Sequence, residues 1–407
     1  MPFVVFAAPW FSENASRFIQ AAVRLPDVRV AVISQDPLEN APPKLREGVV
    51  GHWRVDDVFD SGQLAHAAGS LSARFQEPVH RFYGAFEQLQ VPLAEARAAL
   101  GIEGMSVEAA HNFRDKARMK SVLREAGVPC ARYRLAGEAA AAWQFAREVG
   151  YPLVVKPPAG AGSQSTYRVD NDDALRDALN LVAPSREAPT LLEEFITGEE
   201  HSFETISIDG QAVWHSLTHY YPTPLDVVRN PWIQWCVLLP REVDGPQYDD
   251  IRAAATRALA ALGMDTGLTH MEWFRRRDGS VAVSEVAARP PGAQITTLVS
   301  RANDIDFLAA WARVMIYNEF TAPERRYAAG AAFLRGQGRG TVKAIHGLDE
   351  AERELGPLVV DVKLPHIGQA PASSYEGEGY VILRHPETAV VEQALARLVS
   401  LIRVELG

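Results

Sequence analysis

An α/β protein built in three consecutive units is what this sequence predicts, on three observations. Apolar strand-like runs alternate with helical stretches over the first hundred residues, the pattern of a Rossmann-like α/β layer with a parallel sheet. A central region then carries a Lys-ended strand, a Gly/Ser-rich loop and two hairpin signals. A tail of short strands with a final helix reads as a small α+β domain. The expected boundaries are 1–105, 106–322 and 323–407.

In chain order, residues 3–8 and 28–34 are apolar strands separated by a helical stretch at 14–24, and 79–82 is a weaker strand. Residues 85–99 look helical before Gly101 and Gly104. No GxGxxG follows the first strand, so a dinucleotide fingerprint is missing. One helix is expected over 112–126, stopped by Gly127 with Pro129 beyond, and another over 138–149, closed by Gly150. A buried-type strand at 153–156 leads into Pro157-Pro158 and the Gly/Ser loop; 172–182 is a helix and 190–196 a strand. Asp209-Gly210 and Asp278-Gly279 mark two-residue hairpin turns within 202–216 and 271–286. An aromatic-rich stretch lies between them, with a helix over 248–262, and the last helix spans 386–403.

Composition narrows the function classes. The 407 residues are 23% charged and 47% hydrophobic, which is globular, and the net charge is -10, with no Lys/Arg cluster that stands out. A nucleic-acid binder would show a basic footprint, so that class is set aside. The two cysteines, Cys130 and Cys236, make neither a disulfide framework nor a zinc site and fit a reducing compartment. Met1-Pro2-Phe3-Val4-Val5-Phe6 lacks a preceding basic region and reads as a strand, not a signal peptide. No run approaches the roughly eighteen apolar residues of a membrane span. The expectation is a cytoplasmic protein without membrane or nucleic-acid partners.

The basic residues are nearly all Arg; lysine occurs only at positions 44, 116, 120, 156, 343 and 363. A Lys in such a background suggests a place for a compact point charge. Lys156 ends a strand and precedes Gly160-Ala161-Gly162-Ser163-Gln164-Ser165, a loop of small residues whose amides can cradle phosphate. The order of Lys and glycines excludes a Walker loop. Lys116 opens a helix. Glu193-Glu194-Phe195-Ile196 ends a strand whose backbone can meet an adenine edge, and Glu200 just beyond can accept from ribose hydroxyls. In the second hairpin Glu272 falls opposite Glu285, and like charges at facing positions are destabilising unless neutralised. A hard divalent cation bridging them is one remedy; an exposed edge in water, or pairing with Arg, is the other. Arg289 follows where the strand ends and can grip phosphate or carboxylate. By the same register reading Glu204 faces His215, which reads as a cross-strand contact. The aromatic stretch His215, His219, Tyr220, Tyr221, Trp232 and Trp235 reads either as a packed cap or as the cover of a substrate pocket.

The order of these pieces resembles the ATP-grasp superfamily over about residues 105–320, and more loosely over the whole chain. The resemblance implies an ATP-grasp core with a mobile lid subdomain at roughly 130–192. Lys116 and Lys156 would be nucleotide-phosphate lysines, and Gly160, Gly162 and Ser163 part of the lid loop. Glu193, Glu194, Phe195 and Ile196 would form the adenine hinge, and Glu200 would hold the ribose. Glu272 and Glu285 would hold Mg²⁺, as two ions for which Mn²⁺ can substitute. Arg289, with Lys156, would be catalytic. Two positions depart from the usual pattern: Ala287 stands where many members have Asn, and Ser165 where Gly is usual. Glu-x-x-Ala-Arg-Pro followed by Gly is similar to the amino-acid-ligase branch.

What the resemblance implies is an ATP-dependent carboxylate–amine ligase. It would form an acyl phosphate, then an amide or peptide bond, and release ADP and phosphate. Its partners would be a small-molecule acid and amine, and the chain a homodimer. The alternatives are a carboxylase-type enzyme using bicarbonate and a non-catalytic ATP-binding protein. The discriminating observation is whether ADP release needs acid plus amine, needs bicarbonate, or does not occur.

Overall fold

The apolar runs at the start of the chain form a four-stranded parallel sheet in the order Gly51–Arg54, Arg29–Ser34, Phe3–Ala7, Val79–Tyr83. The computed structural model describes residues 1–159, 166–230, 233–372, 374 and 376–407. All five residues of Phe3–Ala7 are buried because both faces of the sheet are covered. Val4 and Phe6 pack with Phe18 and Ile19 of helix Glu13–Val23, while Phe3 and Val5 pack with Leu64 and Leu71 of helix Ser61–Phe75. The edge strand Gly51–Arg54 was not expected; its half-buried His52 and Trp53 and exposed Arg54 carry little apolar signal. The helix expected over 85–99 is a 3₁₀ turn, Glu87–Leu89, followed by helix Gln90–Leu100.

The single helix expected over 112–126 is two, Val107–Arg114 and Lys116–Glu125. Asp115 breaks it: its Oδ1 accepts from the Ala117 and Arg118 amides, the N-cap arrangement. The Lys116 amide donates to Pro158 O at 2.9 Å, tying the new helix start to the end of the Lys156 strand.

Two sheets dominate the rest of the chain. A four-stranded antiparallel sheet, in the order Tyr133–Ala136, Thr190–Glu194, Leu153–Lys156, Tyr167–Val169, is backed by helices Ala139–Val149 and Asp172–Val182. It has its own core around Phe145, Leu153, Val155, Leu175 and Leu192. The other is an eight-stranded antiparallel sheet. Its first five strands are Val281–Ala287, Gly267–Arg276, Gly198–Ile208, Gln211–Tyr221 and Trp235–Leu239. Ala328–Leu334, Gly379–His385 and Val359–Lys363 complete it. Trp235–Leu239 pairs with Ala328–Leu334, so one sheet runs across position 322/323. Helices Ile295–Asn303 and Phe307–Tyr317 join it to the first sheet; Trp311 meets Phe18 and Tyr83 edge-on at 5.0 and 5.7 Å. The final helix is Thr388–Leu401, followed by strand Arg403–Leu406 in a small three-stranded sheet. Among the described residues no helix is long and apolar enough to cross a membrane.

Both hairpins differ from expectation in ways that matter for the site. Asp209 and Gly210 are the two turn residues, both at positive φ. A bulge at Val213 then shifts the register, so Glu204 faces Ser216 and His215 faces Thr205. In the second hairpin Arg276, not Arg277, faces Ser280, leaving a three-residue loop with Gly279 in the left-handed region. A bulge beyond Glu272 cancels that offset, and Glu272 does face Glu285.

Candidate active site

A cleft of about 120 Å³ opens between the lid-side sheet and the eight-stranded sheet. From the first come Val154, Lys156, Glu193 and Glu194; from the second Glu200, His270, Glu272, Phe274, Glu285 and Ala287. Lys116, Phe195, Ile196, Leu225 and Arg289 also line it. Every residue that the sequence assigned to nucleotide, metal or catalysis is in this lining except those of the loop. Gly160, Gly162, Ser163 and Ser165 lie outside the described residues.

Strand periodicity explains the convergence. Glu200, Ser202 and Glu204 point to one face of the large sheet, and His201 and Phe203 to the other, packed under helix Asp249–Leu262. Glu285 pairs with Lys116 Nζ at 2.8 Å. Burial alone would raise its carboxyl pKa, but the Lys116 and Lys156 charges outweigh that and hold it below the usual range. Glu272 lies 3.8 Å from His270 Nε2. The repulsion argued from the sequence is therefore met within the chain: Lys116 answers Glu285, and His270 faces Glu272. The register that made Glu204 a partner of His215 is replaced by a buried His270 Nδ1–Glu204 contact of 2.8 Å. Burial opposes charge on His270, but hydrogen bonds with Glu204 and Glu272 prevail and bring its pKa up to about 9. Glu204 also accepts from Ser202 and Thr218 at 2.6 and 3.1 Å.

Glu193, expected at an adenine hinge, has its side chain committed elsewhere. Its carboxylate sits between Lys120 Nζ (3.3 Å) and Lys156 Nζ (3.0 Å). Burial pushes the Glu193 carboxyl up, yet the two ammonium groups pull it below its ordinary value. Lys120, fully buried and also donating to Ser284 O at 3.0 Å, backs the candidate site and was missed in the sequence reading, as was His270 in the lining. Its signal was present: a rare lysine four positions after Lys116, on the same helix face. The strand ends at Glu194, short of the expected 196. Glu194 takes Arg132 Nε at 3.0 Å, and the Phe195 amide donates to Pro152 O at 3.3 Å. Glu200 is buried; desolvation, then Glu272 and Asp226, push its carboxyl well above the usual range. Arg289 Nε meets Glu87 of the N-terminal unit at 2.9 Å.

The aromatic stretch divides between packing and the back face. Tyr220 stacks on Trp235, and Trp235 on Phe333, at 5.8 and 5.0 Å. His219 lies 4.6 Å from His201, ring to ring, and bonds Tyr248. Trp232 lies outside the described residues. Burial lowers the pKa of His201 to about 3 and of His219 to about 4. Both are neutral in the fold while the unfolded chain protonates near 6.5, so stability is full above that pH and declines as pH falls below it. Acid titration followed by denaturant unfolding should show up to ~1.4 kcal/mol lost per pH unit per histidine between about pH 6 and 4. The His219→Phe variant should show a visibly flatter decline; an unchanged slope would remove His219 from that account.

Among the described residues no three His, Cys, Asp or Glu side chains gather as a metal cluster. Two facing carboxylates beside lysines nevertheless form the hard-oxygen donor set that Mg²⁺ shares with nucleotide phosphates.

The ATP-grasp domain model matches residues 121–302 of the chain. Amino-acid ligases are among the proteins that the chain is similar to. The chain is 23% identical over 272 residues to the L-arginine-specific L-amino acid ligase of Bacillus subtilis, covering 65% of each protein. It is 28% identical over 312 residues to the uncharacterized protein y4rH of Sinorhizobium fredii (strain NBRC 101917 / NGR234), covering 74% of this chain and 62% of that one. The chain thus spans less than two thirds of the length of these curated relatives. The crystal structure of L-amino acid ligase from Bacillus licheniformis superposes with a TM-score of 0.80 at 22% identity, covering 100% of this chain and 99% of that one.

Proposed function

We propose that this protein is an ATP-dependent carboxylate–amine ligase that activates an acid as its acyl phosphate and joins it to an amine. The supporting observation is that Lys116, Lys156, Glu272, Glu285 and Arg289 line one cleft between two sheets. Phosphoryl transfer asks a protein chiefly for positioning and charge neutralisation, and no protein nucleophile is needed.

In this reading Lys156, steadied by Glu193, and Lys116 meet the phosphates. Glu272 and Glu285 would hold Mg²⁺, which supplies charge neutralisation on the transferring phosphoryl group when bound. Nucleotide and cation entering the cleft would release Lys116 from Glu285 for phosphate. Arg289, braced by Glu87, faces the reacting carboxyl. Ala287 offers no side-chain amide oxygen, so water or substrate would have to complete a second ion's shell. Phe195, Ile196 and Phe274 provide apolar surface for the base, and Glu200 the ribose contact. The loop at 160–165 is assigned to excluding water from the acyl phosphate. Homodimerisation rests on the resemblance alone. A reducing, cytoplasmic setting is supported by the unpaired Cys130 and Cys236.

ADP release from Mg²⁺-ATP tests the reading. Release should require amino acids offering both acid and amine; stimulation by bicarbonate alone would instead favour the carboxylase alternative. Lys156→Ala should weaken ATP binding by tenfold or more in calorimetry, and unchanged affinity would remove Lys156 from the phosphate site.

A further inference from the structure

Between strands Gln211–Tyr221 and Trp235–Leu239, which pair with each other, the chain leaves the large sheet and returns to it. The excursion carries the six-residue helix Pro224–Arg229, far shorter than a helix that is stable in water by itself. Its Leu225 reaches the nucleotide cleft and lines it. Asp226, next in the chain, is one of the charges that hold the Glu200 carboxyl high. The contacts that keep this segment in place come from the tail of the chain.

Arg335 directly follows strand Ala328–Leu334 and is buried at the end of that short helix. Its Nη1 donates to Val227 O at 3.0 Å, Asn230 O at 3.2 Å and Ile233 O at 2.9 Å. The first two carbonyls belong to the last turn and the C-cap, where a helix leaves its acceptors without internal partners. A cation there also meets the negative end of the helix dipole. The Gln234 side-chain amide bonds the Arg335 backbone in both directions, at 2.8 and 3.1 Å. Trp235 Nε1 donates to Pro222 O at 3.0 Å and closes the base of the excursion. Buried Glu378 supplies the compensating charge, and its carboxylate accepts from the Gly336 and Ala372 amides at 2.6 and 2.9 Å.

We propose that Arg335 is a positioning residue for nucleotide binding, holding residues 222–230 through these carbonyls so that Leu225 forms part of the cleft wall. The proposal rests on the reading of that cleft as a nucleotide site. It adds to the site a residue of the tail that is itself outside the lining. Without the guanidinium the carbonyls must turn to water, which a six-residue helix achieves by unwinding. Val227, buried in one cluster with Trp235 and Phe333, and the Gln234 bonds still hold the base of the segment. The damage is therefore local: Leu225 leaves the wall and ATP affinity falls while the fold persists.

The experiment titrates the full chain, in the presence of Mg²⁺, with a non-hydrolysable ATP analogue in a calorimeter. Hydrogen exchange of residues 222–230 and thermal melting are followed on the same proteins. Arg335→Met should weaken analogue binding at least tenfold and speed exchange in 222–230 at least tenfold, with exchange in strand Phe3–Ala7 unchanged. Arg335→Lys keeps the charge and offers three donors, so it should lose less affinity than Arg335→Met. Arg397→Met removes a tail arginine that pairs with Glu350 and Glu354, and it should bind the analogue within twofold of the unaltered chain. Should Arg335→Met fail to fold, Arg335→Gln takes its place under the same criteria. Affinity within twofold of the unaltered chain after loss of Arg335, or an equal loss in Arg397→Met, overturns the proposal while the nucleotide reading stands. Failure of the analogue to bind the unaltered chain overturns the nucleotide reading itself.

Discussion

Glu285→Ala should cut turnover by roughly 10³-fold or more, the scale on which removal of transition-state charge stabilisation acts. The melting temperature should move by only a few degrees. The substitution removes one of the two facing carboxylates and leaves Lys116, 2.8 Å away, without that anion. Two stability effects oppose each other: loss of the Lys116 pair, and relief of the Glu272–Glu285 juxtaposition. The loss of activity has no such offset, because in the proposed reading Glu272 alone would not complete the cation site. Steady-state kinetics over a Mg²⁺ series checks it. Near-normal turnover at ordinary Mg²⁺ would show that Glu285 is not a metal ligand.

Glu193→Ala should be the most destabilising single change in the cleft, by about 3–5 kcal/mol, the cost of removing one partner from a buried ion pair. Glu193 lies between two buried ammonium groups, and without it Lys120 and Lys156 face each other with no intervening anion. Glu193→Gln should recover part of the loss, since an amide oxygen still accepts from one lysine. A Glu193→Ala, Lys120→Met double variant should be more stable than the single variant, because one stranded charge is gone. Urea unfolding of the set checks this. A loss below ~1 kcal/mol for Glu193→Ala would mean that water enters and hydrates the lysines.

Much of this site could be read from the chain because its residues lie on short, regular strands with turn signals beside them. Asp278-Gly279 located the second hairpin, and the Glu272–Glu285 pairing followed. That pairing held although the turn is one residue longer than its sequence suggests, since a later bulge restored the register. The first hairpin shows the converse: its turn was read correctly, and a bulge at Val213 moved Glu204 away from His215. Bulges have no sequence signature comparable to Asn-Gly or Asp-Gly, so strand registers beyond one are not legible locally. The break at Asp115 was hidden for a related reason. The apolar periodicity continues through it, and only the Asp side chain's preference for capping distinguishes two helices from one. Lys120 and Glu193 find each other across 73 positions, a contact set by tertiary packing alone.

The continuity of the large sheet decides which parts of this chain are interchangeable among relatives. A recombination point at 322/323 separates two hydrogen-bonded neighbours, Trp235–Leu239 and Ala328–Leu334, and each fragment would carry an open strand edge. The four-stranded antiparallel sheet has the opposite character: all its strands and its own core lie within roughly 130–194. Exchange of that segment transfers Lys156 and Glu193 together and must meet a lysine equivalent to Lys120 in the recipient. Inheritance by modules is thus permitted at the lid and obstructed at the tail.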